Sequence, residues 1–148
     1  MVLNVGDPAP DFTLPDQHGQ ATTLSRQPGP TLIVFIPAAF TPVCHDELRA
    51  LRDVAQRMRV WAVSCDSMFV LRALDDMEHV GFALLSDFWP HGQVAHAYGA
   101  FDEGSGLPRR VSMLVDGRGR IAARWESSPG LGRDPGDYLR AFDALPPS

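Results

Sequence analysis

Residues Thr31–Ile36 read TLIVFI, and Val60–Cys65 read VWAVSC. Neither run alternates with polar residues. Each must therefore be covered on both faces, as a strand inside a parallel sheet is. Between them, Leu48, Leu51, Val54, Ala55 and Met58 recur at spacings of three or four, starting from Val43. That is the period of a helix with one buried stripe. Strand, helix and strand in this order predict a crossover, and a crossover makes the two strands parallel.

The remaining segments extend this unit. Asp11–Leu24, DFTLPDQHGQATTL, reads as two short strands around a turn at Asp16, His18 and Gly19. Pro42 opens the helix that carries Leu48, with Asp46 and Glu47 in its first turn, where carboxylates suit the helix dipole. Arg57 and Arg59 fall near its other end. Ser67 or Asp66 caps a second helix over Met68–His79. FALLSD is a short strand, and HGQVAHAYGAF a helix that stops near Gly99. Arg110–Asp116 and Ile121–Ser127, joined by GRGR, form a hairpin. DPGDYLRAFDAL closes as a helix with Asp134 as N-cap and Pro135 behind it. No internal repeat interrupts the chain. The expectation is one α/β domain over 1–148, with a mixed central sheet flanked by helices. A thioredoxin-like fold fits that order.

Composition narrows the function classes. A net charge of −5 argues against broad binding to nucleic acid or anionic membrane. All 13 basic residues are arginine, so Schiff-base and Walker-type lysine chemistry are excluded. No apolar run approaches a membrane span, and MVLNVGDPAP lacks a basic segment followed by an apolar one. A cytoplasmic location is expected, in which both cysteines stay reduced.

Cys44 falls in the first turn of the helix that follows TLIVFI. Backbone N–H groups there lack intrahelical partners and favour an anion, which lowers a thiol pKa. A buried, inert cysteine is the competing reading. The surrounding residues are P37-A-A-F-T41-P-V-C44, a P-x-x-x-T-x-x-C pattern.

That pattern resembles the peroxiredoxins, cysteine peroxidases of the thioredoxin fold. VGDPAPDFTL is similar to the family's opening segment, and LLSDFWPHGQVAHAYGAF to its middle section. Together with FTPVC-x-x-E-L, these look most like the one-cysteine alkyl hydroperoxide reductase E type of actinobacteria. The resemblance implies a thiol peroxidase acting on hydrogen peroxide or organic hydroperoxides, with no metal or organic cofactor. Cys44 is then the peroxidatic nucleophile and Thr41 the peroxide holder. Pro37 shields the thiolate, and backbone amides near Val43 and Cys44 receive the departing oxygen. Of Arg109 and Arg110, the pattern selects Arg110 to bind thiolate and peroxide together, with Arg109 pointing the other way. Solvated strand-end charges are the alternative for both. Glu47 matches a glutamate that orients the arginine, or serves only the helix dipole. Trp89 lines the pocket, meets a second copy, or is core.

A sulfenic acid needs a reducing thiol. Glu47 occupies the fourth position of a would-be C-x-x-C, Arg49 stands five residues after Cys44, and the tail FDALPPS has no cysteine. Only Cys65 remains, as a packed strand-end thiol or a resolving residue. The expectation is therefore an external reductant: a low-molecular-weight thiol, or a thioredoxin- or glutaredoxin-like protein. For an actinobacterial type it is mycothiol with mycoredoxin. Family resemblance favours a homodimer. The five histidines, at 18, 45, 79, 91 and 96, form no metal-ligand spacing; His45 either tunes Cys44 or is solvated. Competing functions on the same scaffold are a non-enzymatic redox sensor or holdase, and a thiol–disulfide carrier. The missing C-x-x-C weighs against the carrier.

Overall fold

The computed structural model describes residues 3–40, 42–127 and 134–145, with the side chains of 42–45 outside that description. Its elements follow in order as β1 (Thr13–Pro15), β2 (Ala21–Thr23), β3 (Thr31–Phe35), α1 (Pro42–Val54), β4 (Arg59–Ser64), α2 (Met68–Glu78) and β5 (Ala83–Ser86). Then come α3 (Gln93–Ala97), β6 (Phe101–Asp102), β7 (Leu107–Pro108), β8 (Val111–Val115), β9 (Ile121–Glu126) and α4 (Pro135–Asp143).

The central sheet runs β5-β4-β3-β8-β9. The strands β3, β4 and β5 are parallel, and β8 and β9 add an antiparallel half. Both apolar runs are covered on two sides, as their composition requires. Ile33 and Phe35 face one cluster with Trp61, Val63 and Tyr98. Leu32, Val34 and Ile36 face the other, with Leu48, Leu51 and Leu74 from α1 and α2. Burying each such side chain contributes about 1.5–3 kcal/mol, so the sheet core dominates stability.

Helix ends follow local chemistry. Ser67 caps α2, its side chain accepting from Val70 N–H at 3.3 Å, and His79 ends the helix with φ 51°. Asp134 caps α4, accepting from Gly136 N–H at 2.9 Å, with Pro135 in the first turn. On α4, Tyr138 meets Ser112 of β8, hydroxyl to hydroxyl at 2.8 Å, and packs edge-on to Trp125. Gln17, in the β1–β2 turn, is buried against the outer edge of β5. Its carboxamide accepts from Leu84 N–H at 2.9 Å and donates to the Phe82 carbonyl at 3.1 Å.

Three features depart from the sequence expectation. The hairpin β6–β7 has two-residue strands, too short for any hydrophobic period to register. In α1 no acidic residue lies in the first turn, so Asp46 and Glu47 belong to the second. Strand ends move by one residue: Arg110 precedes β8, and Cys65 follows β4.

Candidate active site

Parallel strands deliver their C-terminal ends to one edge of the sheet, where α/β proteins place their sites. Three loops gather there, after β3, β4 and β5. The register of β3 with β8, Thr31 with Val115 through Val34 with Ser112, brings Arg110 alongside Ile36 when continued by two residues. Arg110 therefore reaches the same edge from the antiparallel half. Pro37, partly buried, opens the first loop.

Helix α1 begins at Pro42, which makes Cys44 its third residue. The backbone N–H groups of Val43 and Cys44 thus belong to the unpaired first turn. Thr41 and the side chains of Val43, Cys44 and His45 lie outside the described residues.

One helical turn on, Glu47 is buried and forms an ion pair with Arg110, which is also buried. The Glu47 carboxylate is paired with the guanidinium. Removing one member of such a pair strands a buried charge, at a cost of about 3–5 kcal/mol. Arg109 does point the other way. It is half-exposed, donates to the Gly99 carbonyl and lies 3.6 Å from Glu126. The Arg110 carbonyl accepts from Ser127 N–H at 2.9 Å, so β9 holds its backbone in place.

Cys65 is buried, and its thiol is pushed up to about 12, first by burial and then by the charges of Asp87 and Asp66. Asp87 is itself buried. Its carboxylate accepts from Val94 and Ala95 N–H at 3.1 and 2.9 Å, and burial raises its pKa despite those bonds. Trp89 is not core: it is 82% exposed. Phe40, Phe69 and Phe88 are also exposed, each on one of the three loops or the helix start that follows it. His91 and His96 lie elsewhere. Both pack on Phe101, and His91 bonds the Gly106 carbonyl at 2.7 Å. Among the described residues, no group of three or more His, Cys, Asp or Glu could hold a metal ion.

Sequence reasoning missed Asp66 as anything but a possible cap. With Ser67 capping α2, the Asp66 carboxylate is free to accept from Ala39 N–H at 2.9 Å and Ser64 Oγ–H at 3.0 Å. The signal was a carboxylate beside a better capping residue.

The AhpC/TSA family model matches residues 5–124. Alkyl hydroperoxide reductase E of Mycobacterium tuberculosis is 40% identical, the match covering 97% of this chain and 99% of that protein. Peroxiredoxin Bcp of Escherichia coli is 34% identical over 80% of this chain and 83% of its own length. The crystal structure of peroxidoxin BcpB from Mycobacterium tuberculosis superposes with a TM-score of 0.86 at 28% identity, covering 98% of this chain and 99% of that one.

Proposed function

Because the chain belongs to the AhpC/TSA family of peroxiredoxins and is a thiol-dependent peroxidase, we propose that Cys44 is its nucleophile and Arg110 its charged partner. The observation that carries the assignment is the buried Glu47–Arg110 pair beside the start of α1. A guanidinium held there, together with unpaired helix amides, favours thiolate over thiol. The thiolate attacks one peroxide oxygen and the O–O bond breaks. Cys44 becomes a sulfenic acid, and the departing hydroxide or alkoxide takes a proton to leave as water or alcohol. Charge grows on that oxygen in the transition state, and the amides of Val43 and Cys44 with the Arg110 fork receive it. Thr41 holds the peroxide in line, and Pro37 keeps water from the thiolate.

Recycling uses an outside thiol. It attacks the sulfenic sulfur, releasing water and leaving a mixed disulfide that a second thiol reduces. Cys65 is a poor resolving thiol, because with a pKa of about 12 roughly 10⁻⁵ of it is thiolate at pH 7. Mycothiol with mycoredoxin, or a thioredoxin- or glutaredoxin-like protein, fills the role in a reducing cytoplasm. The exposed Phe40, Phe69, Phe88 and Trp89 at the loop end of the sheet support a homodimer closed across that end.

Stopped-flow mixing with hydrogen peroxide and an organic hydroperoxide tests the reading. Wild type reacts orders of magnitude faster than free cysteine, and Cys44→Ser does not. Mass spectrometry then finds the sulfenic acid on Cys44. A rate equal to that of free cysteine, or a stoichiometric Cys44–Cys65 disulfide, would overturn the nucleophile or the recycling assignment respectively.

A further inference from the structure

Asp66 ties together the ends of all three parallel strands. Its Oδ2 accepts from Ala39 N–H, beyond β3, at 2.9 Å and from Ser64 Oγ–H, at the end of β4, at 3.0 Å. Its carbonyl accepts from Ser86 Oγ–H, at the end of β5, at 2.7 Å. Ala39 N–H thus finds its acceptor in a side chain from a neighbouring strand end, and not in the sheet or in α1. The next residue, Phe40, has φ 64°. A left-handed conformation costs a residue with a Cβ about 1–2 kcal/mol. The segment does not hold that shape by intrinsic preference, and an anchor stands immediately before it.

We propose that Asp66 is a positioning residue for the peroxide reaction: through Ala39 N–H it fixes the Pro37–Phe40 segment from which Thr41 and Cys44 follow. The inference rests on Cys44 being the peroxidatic nucleophile. Attack on peroxide demands alignment of sulfur, hydroxyl and amides, whereas alkylation by iodoacetamide demands little beyond a thiolate. Loosening the segment therefore lowers the first rate more than the second. The capping of α2 is left to Ser67, so Asp66 can be changed without removing that cap.

The experiment compares wild type, Asp66→Ala and Asp66→Asn at one pH. Stopped flow gives the rate constant with hydrogen peroxide, and peptide mapping gives the rate constant of Cys44 with iodoacetamide. In Asp66→Ala the ratio of the two falls by about tenfold or more, since misplacement of reacting groups on the scale of an ångström is worth up to ~10²-fold. In Asp66→Asn, whose amide oxygen still accepts from Ala39 N–H, it returns to within about threefold of wild type. A wild-type ratio in Asp66→Ala overturns the inference, as does an Asp66→Asn that fails to restore it. Should Asp66→Ala not fold, Ser64→Ala leaves the carboxylate in place but unsupported. It lowers the ratio by about threefold or more, the lost hydrogen bond being one to a charged acceptor; an unchanged ratio there overturns the inference. A wild type no faster with peroxide than free cysteine instead removes the peroxidase role of Cys44, on which the inference depends.

Discussion

Cys65 follows a buried strand, near two carboxylates, whereas Cys44 stands in the first turn of α1, the helix that carries the paired Glu47. Under the proposed chemistry a helix start and a guanidinium favour thiolate at Cys44, whereas burial holds Cys65 as a thiol. Iodoacetamide at about pH 7.5 is expected to label Cys44 and to spare Cys65 until the chain is unfolded, which peptide mapping checks. The same shift has a stability consequence. Between the ordinary value of 9.0 and about 12, the unfolded chain releases the Cys65 proton while the folded chain keeps it. The contribution of Cys65 is therefore full below pH 9 and is lost as pH rises through that window. Urea titrations should show Cys65→Ala losing less stability than wild type between pH 8 and about pH 11. For the ion pair, Arg110→Ala should slow the peroxide reaction by about 10²-fold or more and cost about 3–5 kcal/mol, because the buried Glu47 loses its guanidinium. An unchanged rate by stopped flow would remove Arg110 from the chemistry.

At the scale of elements, α3 and the β6–β7 hairpin depend on one glycine. Gly92 has φ 68°, and a Cβ there would come within 2.4 Å of the Phe101 ring. Gly92→Ala combines left-handed strain with overpacking and should cost about 1–3 kcal/mol. Thermal melting of Gly92→Ala beside Gly119→Ala isolates the packing part. Gly119 also has positive φ, but a Cβ there meets nothing within 4 Å. Element order was legible because TLIVFI and VWAVSC admit only two-sided burial, and because Ser67, Asp134 and Pro135 mark helix starts by local chemistry. The β6–β7 hairpin was not legible, since two residues carry no period. Glu47 was ambiguous for another reason. A carboxylate near a helix start suits the dipole wherever the rest of the chain goes, and only the strand register brings Arg110 to it. Trp89 was equally open, since an aromatic residue reads as core until its loop is placed.

For the molecule as a whole, the sheet has one busy end and two quiet flanks. The exposed aromatic residues gather at the end that carries the candidate site. Trp89→Glu should shift sedimentation from dimer to monomer; sedimentation identical to wild type would count against closure across that end. One face of the sheet is fastened by Tyr98, buried at the end of α3, whose hydroxyl donates to the Pro10 carbonyl at 2.6 Å. Burial raises its pKa above the ordinary 10.0, so the folded chain keeps the phenol neutral in alkali. Tyr98→Phe should cost about 1 kcal/mol near neutrality. This deficit should shrink as pH passes 10, where wild type alone must hold a proton that its unfolded chain releases. Paired urea titrations at about pH 7 and about pH 10.5 measure the difference. The Gln17 carboxamide bears on how copies of this chain can meet. By bonding both the Phe82 carbonyl and Leu84 N–H, it takes up an outward-facing acceptor and donor at the start of β5. A border strand covered in this way is a poorer template for another molecule's backbone. Growth by sheet extension, the route toward fibres, is hindered at this point of the border, which leaves side-chain surfaces as the easier route to association.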